Sequence, residues 1–230
     1  MKAPETHVAA QEQVRILGIS GSLRKASFST AILRALARRT SASMSIDVMT
    51  LEEIPFYNED LDCPPGPPAV ENMKKLIAES DGVLIATPEY DHGIPGVLKN
   101  ALDWASRPAF QFCFKNKPVS IISSSLAHHL LAESPVRCAT QSPARGRFTG
   151  GVRAQYELRE ALIAMQAHLV MGPEVVIGGV HGKVDHSEYY DEGGLPFILQ
   201  SLERLRAEIL SRRAFGGNAL MISSSNEEPS

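Results

Sequence analysis

Five β-rich apolar runs that alternate with segments of helical period predict an α/β fold, a doubly wound five-stranded parallel sheet held between two layers of helices. The third run, GVLIAT at 82–87, is apolar almost without a break, as a strand covered on both faces must be. A chain of 230 residues has the length of one such domain and enough residues for a sizeable core.

The elements follow in order. VRILGIS at 14–20 is the first strand, and the helix after it spans 29–39 with Ile32, Leu33 and Leu36 on one face. SIDVMTL at 45–51 is the second strand. A proline-rich stretch, IPFYNEDLDCPPGPP, makes an irregular excursion before a helix that starts near Ala69 and carries Met73, Leu76 and Ile77 as its apolar stripe. After the third strand a helix opens at Pro95, whose missing N–H costs nothing in a first turn, and turns Leu98, Ala101, Leu102 and Ala105 inward. PVSIISS at 118–124 is the fourth strand, a helix covers 154–168, EVVIGG at 174–179 is the fifth strand, and an amphipathic helix at 195–213 closes the domain. Residues 1–13 and 214–230 read as flexible polar tails.

Composition removes several classes of function. A net charge of -3 with the two signs mixed along the chain leaves no basic stripe for nucleic acid and no polybasic anchor. Cys63, Cys113 and Cys138 are odd in number and lack C-x-x-C spacing, which argues against a disulfide framework or a metal site. No run approaches the roughly 20 apolar residues of a membrane span, and the first residues lack the apolar core of a secretory signal. These features predict a cytoplasmic protein whose partner is a small molecule.

Sheets of this kind most often take the flavodoxin-like strand order 2-1-3-4-5, which places ligands beyond the carboxyl ends of the strands where the order reverses. The loops after Ser20, Thr87 and Ser124 are therefore the informative ones. SGSLRKASFST at 20–30 sets Ser20, Ser22, Ser27, Ser29 and Thr30 around a helix N-terminus, where free N–H groups and the helix dipole favour an anion. Arg24 can add a forked contact to it. The same serines can equally form a helix cap and a polar turn. Gly18 and Gly21 make neither G-x-G-x-x-G nor a P-loop, which leaves a mononucleotide phosphate as the anion the loop suits. In the second loop, TPEYDHGIPG, stiff Pro88 and Pro95 frame Tyr90 and His92 where a flat ring can lie, although a plain strand-to-helix turn has the same composition.

ISGSLRKASFSTAILRAL and TPEYDHGIPGVLKNALDWASRP together resemble the NADPH-dependent FMN reductase family, and GGVRAQYELREAL and EVVIGG extend the resemblance over most of 14–213. The resemblance implies bound FMN, NADPH or NADH as hydride donor, and ping-pong reduction of a flavin, quinone or similar small electron acceptor. It also implies a homodimer or homotetramer, in which the helix bearing Trp104 can meet a partner subunit. The alternative is a flavodoxin-like electron carrier that binds FMN but is inert towards NADPH. By position, the family's phosphate loop corresponds to Ser22, Leu23, Arg24, Lys25, Ala26, Ser27, Phe28 and Ser29, its ring-supporting turn to Glu89, Tyr90, Asp91 and His92, and a serine after the fourth strand to Ser125. No side chain is expected to be a catalyst, because the cofactor carries the chemistry.

Three positions depart from the family pattern. Ser29 replaces an asparagine and is a shorter donor, which still leaves FMN binding expected. Asp91 replaces another, and a carboxylate only accepts hydrogen bonds, so beside a reduced, anionic flavin it must point away, pair with a cation or lower the potential. Residues 126–148 are an insertion after Ser125, either a lid over the flavin or a segment that is disordered or merely tolerated by the fold.

Overall fold

The computed structural model describes residues 13–126, 151–185 and 188–224, with side chains through Phe215. Strand β1 (Val14–Ser20) pairs in parallel with β2 (Met44–Met49) on one side and β3 (Gly82–Pro88) on the other, and β3 pairs with β4 (Pro118–Ser124). The position outside β4 is filled twice: β5 (His168–Leu169) lies against Pro118 and Val119, and β6 (Val175–Ile177) against Ile122, Ser123 and Ser124. The sheet order is 2-1-3-4-5, as the alternation of elements predicts.

The period-two alternation of each strand decides which helix it meets. Leu17, Ile19, Val83, Ile85, Val119 and Ile121 face one core, which they share with α2 (Pro68–Glu79), α3 (Gly96–Ala105) and α4 (Val152–Ala164). Their neighbours Val14, Ile16, Leu84, Ala86 and Ile122 face the opposite core, against α1 (Phe28–Arg39) and α5 (Leu195–Ser224). Each fully buried leucine or isoleucine contributes about 1.5–3 kcal/mol of transfer free energy, and a one-residue slip of register would send every one of these side chains to the wrong layer.

Three boundaries differ from the sequence expectation. The fifth strand is broken, because Gly172 takes φ +157 and Pro173 has no N–H to give the ladder, so the chain leaves the sheet after Leu169 and returns at Val175. Helix α4 starts at Val152 and stops at Ala164 rather than His168, with Gln166 at φ 58 turning the chain back into β5. Helix α5 continues to Ser224 instead of ending at Arg213. Gly216 and Gly217 read as a stop, yet the good helix formers Ala219, Leu220 and Met221 follow them. The insertion at 126–148 lies outside the described residues except for Leu126.

Trp104 is a core residue of its own chain. It is 0% exposed, its Nε1 donates to the Pro55 carbonyl at 2.8 Å, and its ring meets Tyr57 edge-on at 4.9 Å. Asn100, one turn earlier on α3, donates to the same carbonyl and accepts from Tyr57 N–H, so the proline-rich excursion is fastened to α3. An interface role for Trp104 is thereby ruled out, since every atom of it is already covered within this chain.

Candidate functional site

A cavity of about 400 Å³ opens beyond the carboxyl ends of β1, β3 and β4, lined by Ser22, Arg24, Ser27, Phe28, Ser29, Pro88, Glu89, Tyr90, Ser124, Ser125, Leu126 and Val180. Its size is within the range of small-molecule and cofactor sites. The first wall is built as β1 ends: Gly21 N–H still reaches the Ala86 carbonyl at 2.8 Å, after which the chain turns into α1. Ser27 is the cap of α1, its hydroxyl accepting from Thr30 N–H at 3.2 Å, and Ser20 and Thr30 bond each other at 2.8 Å. Ser27 therefore fills the capping role the composition allowed, and it lines the cavity as well. The first turn of α1 carries no acidic residue, which leaves the positive end of its dipole uncompensated by a carboxylate. Arg24, exposed at the edge of the cavity, lies over the Phe28 ring, 4.2 Å from its centroid.

Among the described residues, Ser29 Oγ and Ser124 Oγ are both buried without a hydrogen-bond partner, one at the start of α1 and the other at the end of β4. The residues themselves are 1% and 3% exposed. A buried hydroxyl without a partner costs roughly 1–3 kcal/mol, so two on the lining of one cavity mark positions where a ligand's polar atoms would complete the structure.

The second wall is a tight turn. Tyr90 and Gly93 exchange both backbone hydrogen bonds at 3.0 Å, with Asp91 at φ 46 and His92 at φ 68 between them. This is the two-residue connection that needs left-handed backbone at both central positions, a conformation aspartate tolerates better than most residues. Tyr90 is 54% exposed at the rim. The Glu89 carboxylate turns the other way: its Oε2 accepts from Arg153 and Ala154 N–H at 3.0 and 3.2 Å and so caps α4, whose own cap residue, Gly151, has no side chain to do it. His92 Nδ1 pairs with the Arg153 guanidinium.

Of the residues read from the sequence, the structure brings Ser22, Arg24, Ser27, Phe28, Ser29, Glu89, Tyr90 and Ser125 to one cavity. Leu23, Lys25 and Ala26 face solvent on the loop, and Asp91 and His92 are exposed on the turn, with none of these five on the cavity lining. The sequence reading missed Ser124 and Gln155. Gln155 is wholly buried and donates through Nε2 to Ser123 Oγ and to the Val175 carbonyl, both at 2.9 Å, tying α4 to the strands that carry the third wall. Gly151 permits that approach: it sits at φ +99, and a Cβ there would lie 2.8 Å from Ser123 Cβ. The signal for Gly151 and Gln155 was the GGVRAQY segment, a recognised motif without a role for its members.

The NADPH-dependent FMN reductase sequence profile matches residues 14–137. The chain belongs to the NADPH-dependent FMN reductase family. Within the family it is 37% identical over 196 residues to an NAD(P)H-dependent FMN reductase of Pseudomonas aeruginosa, a match that covers 85% of this chain and 95% of the relative. It is 35% identical to a quinone reductase of Escherichia coli, over 83% of this chain and 93% of that one. Among solved structures the fold is similar to FerB, a flavoenzyme NAD(P)H:(acceptor) oxidoreductase from Paracoccus denitrificans, with a TM-score of 0.68 at 26% identity over 85% of this chain and 97% of that chain. For this FMN reductase family member the matched profile includes the first two walls of the cavity and Ser124 and Ser125 of the third.

Proposed function

We propose that the chain is an NAD(P)H-dependent FMN or quinone reductase that holds FMN in the cavity between β1, β3 and β4. The observation that carries the reading is the pair of buried hydroxyls, Ser29 Oγ and Ser124 Oγ, without a partner among the described residues, on the lining of a cavity that opens at a helix N-terminus whose first turn has no acidic residue. A phosphate-bearing flavin fits such a donor set: Ser22, Ser27 and Ser29 with Arg24 would hold its phosphate end, and Pro88, Glu89, Tyr90, Ser124 and Ser125 the remainder. Acceptance and donation of hydride are the chemistry that FMN supplies when bound.

The protein's own work is binding, orientation and control of charge. Glu89 keeps its carboxylate on the α4 amides, so its negative charge is spent on a helix cap rather than directed into the cavity. Asp91 is exposed and away from the lining, the first of the three ways in which a carboxylate at that position is compatible with a flavin. Tyr90, half in solvent at the rim, leaves the mouth of the cavity, as the described residues frame it, open to a flat second substrate such as a nicotinamide or a quinone. NADPH, NADH or both would enter by this mouth, and the acceptor would follow the donor at the same place. The protein would act as a homodimer or homotetramer, without using Trp104 as a contact.

Titration of the purified chain with FMN, followed by rapid mixing with NADPH under anaerobic conditions, tests the reading. A shifted flavin spectrum that bleaches within the turnover time and recovers on addition of quinone is expected. A chain that takes up no flavin refutes the site, and one that takes up flavin but is inert to both NADPH and NADH is an electron carrier instead.

A further inference from the structure

The Tyr90 turn and the start of α4 hold each other through two carboxylates, one given from each side. Glu89 Oε2 on the turn accepts the N–H groups of Arg153 and Ala154, which as first-turn amides have no partner within their helix. Glu157 Oε2 on the helix accepts Ile94 N–H at 2.8 Å, one residue beyond the turn. Gly93 leaves room for this contact, because a Cβ on it would fall against Glu157 Oε2. Between the two anchor points stand Asp91 and His92, both in left-handed backbone that non-glycine residues adopt at a cost, so the turn needs outside support to keep its shape.

The geometry points to Glu157 as a positioning residue for the cofactor. Its carboxylate fixes Ile94 and, through the turn, the wall that Pro88, Glu89 and Tyr90 give to the cavity; Glu157 itself is exposed and away from that lining. This rests on the reading of the cavity as the FMN site. Hydrogen exchange in the flavin-free chain separates the two ideas, since it reports the turn whether or not flavin binds. In Glu157→Ala, peptides that contain Ile94 exchange faster while β1 and β4 keep the exchange of the parent chain, and the FMN dissociation constant rises about tenfold, equivalent to about 1.4 kcal/mol and to the loss of one hydrogen bond to a charged acceptor. Glu157→Gln retains an acceptor and restores most of both effects, whereas a role limited to the dipole of α4 would be lost with the charge. Gly93→Ala reproduces the alanine phenotype with Glu157 in place, by pushing its carboxylate off Ile94. Glu160→Ala, an exposed position on the same helix, behaves as the parent. Unchanged exchange at Ile94 in Glu157→Ala overturns the inference, as does faster exchange with undiminished FMN affinity. Failure of the parent chain to bind FMN refutes the reading of the cavity, and the exchange data still decide whether Glu157 holds the turn.

Discussion

Removal of the hydroxyl from Ser124 or Ser29 is expected to move the apoprotein and the flavin complex in opposite directions. Neither oxygen has a partner among the described residues, and each has been taken out of water by the surrounding core. Alanine at position 124 therefore removes a desolvation penalty of about 1 kcal/mol or somewhat more from the flavin-free fold, which for a domain of this size raises its thermal midpoint by about 2–4 °C. With FMN present the same change deletes a hydrogen bond, worth about 1 kcal/mol or about fivefold in affinity where the partner is neutral, and about 1.5–3 kcal/mol where it is the phosphate. Ser29→Ala, at the phosphate end, is thus expected to lose about ten- to a hundredfold in affinity. Alanine's higher helix propensity adds to the apparent gain at position 29, in α1, but not at position 124, in β4, so Ser124 isolates the desolvation effect. Thermal melts of the flavin-free chain and fluorescence-quenching titrations with FMN read the two quantities separately. A Ser124→Ala chain that melts lower than the parent while binding FMN equally well would show that these hydroxyls are satisfied without a ligand, and the argument for the cavity would fall.

Three other outcomes are expected. Gln155→Leu keeps the bulk but strips donors from the Val175 carbonyl and Ser123, so the midpoint in a thermal melt falls by about 2–12 °C, corresponding to about 1–3 kcal/mol; an unchanged midpoint refutes the tie between α4 and the sheet. Gly151→Ala, at φ +99 and with its Cβ 2.8 Å from Ser123 Cβ, costs a similar amount and weakens FMN binding in the same titration. Asp191 is held below the ordinary carboxylate range first by its hydrogen bond with Lys183, against the opposing effect of burial and with help from Gly194 N–H. A depressed folded-state pKa stabilises the protein above the unfolded value of about 3.9. That contribution disappears as pH falls through the lower, folded value. Asp191→Asn should therefore melt below the parent at neutral pH, by the equivalent of about 1 kcal/mol or less, and the two midpoints should converge below about pH 4. A gap that persists in acid would place the effect elsewhere.

The strand order and the two-faced core were legible because burial on both sides leaves an unmistakable apolar signature, strongest in GVLIAT. The Ser22 to Ser29 loop was legible for a similar reason, since few arrangements need so many hydroxyls at the start of a helix. Its division of labour was not: Ser27 caps while Ser29 is left unpartnered, and that depends on the pitch of α1 rather than on composition. Glu89 lay in a recognised motif, yet its carboxylate serves a helix that begins at Val152, a relation no local pattern encodes. Gln155 was hidden for the opposite reason. A polar residue one step along an amphipathic helix reads as solvent-facing, and only the approach allowed by Gly151 buries it. The break in the fifth strand was written in Gly172 and Pro173, but the two residues before it are too short a run to register as a strand at all.

That break has a further consequence for how copies of the chain can meet. An intact outer strand would present a continuous row of N–H and C=O groups, a template on which a second molecule's strand could grow. Here that margin consists of pieces of two and three residues with a detour between them, too short and too discontinuous to be extended. Growth of the sheet from one molecule into the next is closed on this side. Subunits that associate there must do so through side chains on helices and loops, where shape and charge can select the partner, and a partly unfolded chain finds no ready ladder at this margin along which to polymerise.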